Sequence, residues 1–129
     1  MTRLITTKQI VHAMLVAGLA CGWPIADALA HAHLAKATPA VDATVAAAPT
    51  SISLEFNEAI EPKFSGAVVT GADKVVVKTG PSAIEAGHKK VLLVPITEAL
   101  KPGTYTVEWH ALSGDGHTVK GSYAFTLTP

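Results

Sequence analysis

The sequence predicts an all-β domain: an immunoglobulin-like Greek-key β-sandwich or barrel of about seven strands. Three observations predict it. Short runs rich in Val, Ile, Thr and aromatic residues recur between turn residues. The last two runs alternate apolar and polar residues with the period of a strand. Beyond the first thirty residues, no stretch carries the pattern of a long helix.

The runs, in order, are Leu34 to Ala37, Ile52 to Phe56, Ala67 to Thr70, Lys74 to Lys78, Lys90 to Val94, Thr104 to Ala111 and Val119 to Leu127. Turn chemistry separates them: Pro39-Ala40-Val41-Asp42, Gly71-Ala72-Asp73, Gly80-Pro81, Ala86-Gly87-His88 and Lys101-Pro102-Gly103. The alanine-rich stretch Ala43 to Ala48 is broken by Val45 and closed by Pro49, and reads as a loop. In the last two runs Tyr105, Val107 and Trp109 share one face, and Tyr123, Phe125 and Leu127 share another, so these faces should meet in the core. Tyr105, two residues after Pro102-Gly103, fits a tyrosine corner, in which the phenol bonds back to nearby backbone.

The first thirty residues have a different character. Arg3 and Lys8 form a basic start, Ile10 to Ala20 is a short apolar stretch, and Ala28 and Ala30 are the small residues that precede a cleavage site. The pattern predicts a signal peptide over 1–30 and an exported domain over 31–129. An uncleaved anchor is disfavoured because Gly22, Pro24 and Asp27 interrupt the apolar run. Lipidation at Cys21 is disfavoured because Gly18 stands where such a signal carries Leu or Val.

Residues 31–129 hold eight lysines and nine carboxylates, which leaves no basic field for nucleic acid or anionic lipid. Cys21, Met1 and Met14 all lie in the leader, so the exported domain has no disulfide, thiolate or thioether. The soft ligands that select Cu(I), iron–sulfur clusters or a blue-copper centre are therefore missing. A transition-metal site must use imidazole, amine and carboxylate.

Those groups are present. Cleavage after Ala30 makes His31 the first residue, with both an amine and an imidazole to offer. His117 and Asp115 add a second imidazole and a carboxylate, a nitrogen-rich set that suits Cu(II). In extended chain Asp115 and His117 would lie on one side about 6.6 Å apart, and the flanking Gly114 and Gly116 let the backbone bend them together. A lone Asp-Gly-His is also what an ordinary polar hairpin turn looks like. His33 offers a rival geometry: a free amine with a histidine at position three can wrap Cu(II) or Ni(II) through two deprotonated amide nitrogens. His88 and His110 read as solvated surface residues.

The segments His31-Ala32-His33-Leu34 with Thr38-Pro39, Leu54-Glu55-Phe56-Asn57-Glu58, Pro102-Gly103-Thr104-Tyr105, and above all Trp109 to His117 closing at Gly121 resemble the copper-resistance protein C (CopC) family of periplasmic copper-binding proteins. The resemblance covers essentially all of His31 to Pro129. It implies a Greek-key fold, and Cu(II) held by the amine and imidazole of His31 together with Asp115 and His117. It aligns Glu58 with an acid of the family that would support the site, beside the ordinary reading of an exposed loop carboxylate. Some members also carry a Met-rich Cu(I) loop; Thr70 to Lys78 has no Met, so that second site is expected to be absent.

The resulting expectation is a monomeric, non-enzymatic periplasmic Cu(II) carrier or buffer acting in copper homeostasis and resistance. The resemblance alone adds an inner-membrane copper protein of the CopD type as partner. Two alternatives stand beside it. A histidine-brace copper oxidase or monooxygenase would use the same His31 and a second His, but Asp115 would occupy the position oxygen needs. A metal-free Ig-like structural module would bind no stoichiometric copper.

Overall fold

The computed structural model describes residues 32–129. The expected leader and His31 lie outside the described residues. Among the described residues eight strands form: β1 (Leu34–Thr38), β2 (Thr44–Val45), β3 (Ser51–Phe56), β4 (Gly66–Thr70), β5 (Ala83–Glu85), β6 (His88–Pro95), β7 (Gly103–Leu112) and β8 (Thr118–Leu127), with one 3-10 turn at Pro62–Phe64. They make two four-stranded sheets, β1-β3-β6-β5 and β2-β8-β7-β4. The chain passes between sheets at every connection from β1 to β5 and again from β6 to β7, which is the Greek-key β-sandwich expected.

Alternation builds the core. Ile52, Leu54 and Phe56 on β3 and Leu92 and Val94 on β6 are almost fully buried, as are Val69, Val107 and Phe125 from the facing sheet. Tyr105 and Phe125, opposite each other in the β7–β8 ladder, stack with centroids 5.4 Å apart. The Tyr105 hydroxyl donates to the Lys101 carbonyl at 2.6 Å, so the tyrosine corner forms as expected. Phe56 meets Trp109 edge to face at 5.3 Å across the sheets. That contact ties the end of β3 to the far part of β7. The indole lies over Gly121, its cross-strand partner, where a Cβ would fall 2.3 Å from the ring.

Three segments differ from the expectation. Lys74 to Lys78 forms no strand: Lys74 takes a φ of 66°, Val75 and Val76 stay exposed, and the segment is held by a Thr70–Val76 bridge and by scattered backbone bonds, Gly71 N–H to the Val75 carbonyl, Val77 N–H to the Val69 carbonyl and Thr97 N–H to the Lys78 carbonyl. The turn at its start turns the valines outward, and only Val77 reaches the core. The alanine-rich loop instead contributes Thr44–Val45, which pairs in parallel with Thr126 and Leu127. The third strand of its kind, Ala83–Glu85, is too short to carry a period-two signal and is defined by its pairing with β6.

Candidate metal centre

β7 and β8 pair without interruption from Gly103–Leu127 to Leu112–Thr118, and their hairpin ends in Ser113 to His117. The turn is closed by the Gly116 N–H on the Ser113 carbonyl and by the Ser113 N–H on the His117 carbonyl, both 3.0 Å. Gly116 has a φ of 87°, a conformation that favours glycine; the freedom expected of the flanking glycines is needed there. The chain is therefore turned, not extended, and Asp115 and His117 come into contact. Asp115 Oδ2 lies 3.1 Å from His117 Nδ1.

The other carboxylate oxygen is already occupied. Asp115 Oδ1 accepts a hydrogen bond from the Ser113 hydroxyl and one from the His117 N–H at 3.1 Å. Ser113 is 1% exposed. The serine hydroxyl, then the His117 N–H, hold the Asp115 carboxyl down at about 2 from the usual 3.8, so it is an anion at every physiological pH. The pair remains open to solvent, with 59% of the His117 side chain and 31% of that of Asp115 exposed.

The segment after β3 joins this loop to the start of β1. Asn57 N–H donates to the His33 carbonyl at 3.2 Å, and the His33 N–H donates to Asn57 Oδ1 at 2.6 Å. A few residues on, the Gly114 N–H donates to the Ala59 carbonyl at 3.3 Å, Ile60 bridges Ser113, and the Glu61 N–H donates to the Leu112 carbonyl at 2.9 Å. Ser65 completes the junction: its hydroxyl accepts from the Leu112 N–H and donates to the Glu61 carbonyl. Glu58 sits between the two attachments, and its Oε1 is buried without a hydrogen-bond partner.

Of the expected site residues, the structure brings Asp115 and His117 together, and His31 lies outside the described residues. No group of three potential ligand side chains gathers among the described residues. His33 is exposed, but its amide is committed to Asn57, and Ala32 before it is 3% exposed within the core. His110 is exposed on the outer face of its sheet, and His88 is exposed beside Glu85. Sequence reasoning did not single out Ser113 or Asn57, since a serine or asparagine beside glycine or acid reads as turn chemistry.

The architecture and the loop define a class of protein: a Greek-key sandwich whose longest hairpin carries a pinned acid–imidazole pair. The chain belongs to the CopC family, whose domain model matches residues 34–128. Protein YobA of Escherichia coli strain K12 is 49% identical over 98 residues, covering 76% of this chain and 79% of that one. Copper resistance protein C of Escherichia coli is 37% identical over 133 residues, covering 95% of this chain and 98% of that one. The crystal structure of CopC from Methylosinus trichosporium OB3b superposes with a TM-score of 0.71 at 33% identity, covering 77% of this chain and 95% of that chain.

Proposed function

We propose that this chain acts in copper resistance or transport by holding one Cu(II) ion between the amine and imidazole of His31, the Asp115 carboxylate and the His117 imidazole. It does so as a non-enzymatic carrier or buffer of the periplasm, after removal of residues 1–30. The observation that carries this reading is the Asp115–His117 pair itself. Two donors each about 2.0 Å from an ion and at right angles to one another are about 2.8 Å apart, and at the tetrahedral angle about 3.3 Å. The 3.1 Å between Asp115 Oδ2 and His117 Nδ1 lies within that range. The spacing of the two atoms is thus compatible with a shared ion.

One further observation supports it. The rival amide chelate, for its part, must break the 2.6 Å bond from the His33 N–H to Asn57 and draw Ala32 out of the core. Delivery to an inner-membrane protein of the CopD type belongs to the same reading and rests on the family resemblance.

The amine and both imidazoles must lose their protons before the ion binds. Acid therefore opposes binding. Asp115, ionised down to about pH 2, adds nothing to this loss. Copper affinity should fall as the pH is lowered from 7 to 5. A competition titration that finds the same affinity at both values contradicts the nitrogen-rich ligand set.

The decisive experiment is electron paramagnetic resonance of copper-loaded protein recovered from the cell envelope, with its first residue verified by mass. A companion protein carries one extra residue ahead of His31. The extension converts the amine to an amide, so affinity should collapse and the amine's contribution to the nitrogen hyperfine structure should disappear while the fold survives. An extended protein that binds copper unchanged removes His31 from the site.

A further inference from the structure

Ser113 and Ser65 are the polar residues buried among the described residues, and both lie at the junction beneath the Asp115 loop. A buried hydroxyl without a strong partner is costly. Ser113 finds two acceptors, Asp115 Oδ1 and the His117 carbonyl, the latter at 3.2 Å. It has one proton to give. The His117 carbonyl already accepts the Ser113 N–H, and an ionised carboxylate is the stronger acceptor, so the proton goes to Asp115. With the His117 N–H as its second donor, Oδ1 is saturated. Oδ2 alone faces the imidazole.

We propose that Ser113 is the positioning residue that makes Asp115 a one-oxygen donor: its buried hydroxyl ties up Oδ1 and presents Oδ2 beside His117. The inference rests on the copper reading of the loop and adds a determinant of selectivity to it. A carboxylate free to turn can offer both oxygens to a large cation such as Ca²⁺, whereas a pinned one offers a single oxygen to an ion that makes few short bonds. The selectivity of the carboxylate is thus set from below, by a side chain that never touches the metal.

The test is a double-mutant cycle on Cu(II) affinity at pH 7, with Ser113→Ala, Asp115→Asn and both together, each checked for folding by circular dichroism. Ser113→Ala should weaken copper binding about 10- to 100-fold, the range for loss of a group that orients a ligand. In the Asp115→Asn background the same change should cost less than about threefold, because the carboxylate it orients is gone. Ser113→Thr, which keeps the hydroxyl, should recover most of the affinity and the parent paramagnetic resonance spectrum. Losses that simply add in the double variant, or a Ser113→Ala protein that binds copper as the parent does, overturn the role of Ser113 and leave the copper site standing. A parent protein that takes up no copper overturns both. Should Ser113→Ala not fold, the Thr variant decides: a folded Thr protein with an altered spectrum and weakened binding also counts against the proposal.

Discussion

Two hairpin turns of this molecule carry the same contact. At the end of β7–β8, Asp115 Oδ2 lies 3.1 Å from His117 Nδ1; between β5 and β6, Glu85 Oε2 lies 3.1 Å from His88 Nδ1. Each turn uses a glycine of positive φ, Gly116 at 87° and Gly87 at 78°. The surroundings separate them. Asp115 is anchored by a buried serine and a backbone N–H, and its turn is stitched to the Asn57–Glu61 segment. Glu85 and His88 have side chains 44% and 64% exposed and stand on a three-pair ladder with a register shift. An acid next to a histidine is thus cheap to make in a turn; a pair held in fixed geometry needs a framework beneath it.

The sharpest way to break this comparison is to delete each imidazole in turn. His117→Ala should lower Cu(II) affinity by more than about a hundredfold, beyond the cost of losing a merely supporting group. His88→Ala should leave it within about twofold, since an exposed, loosely held pair contributes little. Isothermal titration of both variants at pH 7 reads the difference. Equal losses would mean that contact distance alone, without the framework, makes a copper ligand.

Much of this contrast was legible in the sequence, and what was not has a physical reason. The Asp115–Gly116–His117 spacing announced a turn that gathers an acid and an imidazole, because glycine and the short acid act locally. Tyr105 announced its corner for the same reason: its acceptor, Lys101, is four residues away. Ser113 was not legible, because its 1% exposure comes from the Ile60 bridge and the Ala59–Gly114 bond, contacts that span some fifty residues. Asn57, whose side chain closes the His33 amide, is hidden in the same way. Lys74 to Lys78 shows the converse error. Three consecutive valines have strong strand propensity, but propensity describes a half-buried pleat, and two of the three face water.

A gentler test exchanges the two glycines. A Cβ at either Gly116 or Gly87 meets nothing within 4 Å, so alanine there costs only the strain of left-handed backbone, about 1 kcal/mol. Both variants should therefore lose about 4–8 °C in melting temperature. Only Gly116→Ala should weaken copper binding, by distorting the turn that sets the Asp115–His117 distance. If Gly87→Ala weakens it as much, affinity tracks global stability and the loop has no special status.

The smallest effect separates those two quantities from the other side. Tyr123 is 6% exposed on β8, and its hydroxyl is buried without a partner, unlike that of Tyr105. Removing it as Tyr123→Phe relieves an unsatisfied buried group and should stabilise the metal-free fold by about 1 kcal/mol at pH 7, with copper affinity unchanged. Alkaline unfolding supplies the signature. Burial pushes the Tyr123 phenol up to about 12 from 10.0, so the unfolded chain releases its proton first. The stability associated with the neutral phenol is complete below about pH 10 and drains away as pH rises toward 12, by about 2 to 3 kcal/mol. The Phe variant should lack that limb in denaturant midpoints measured from pH 8 to pH 11.5. A gain in stability that leaves copper binding untouched shows that the hairpin's grip on the ion depends on the geometry at Ser113 to His117 and not on how firmly the sandwich as a whole is held.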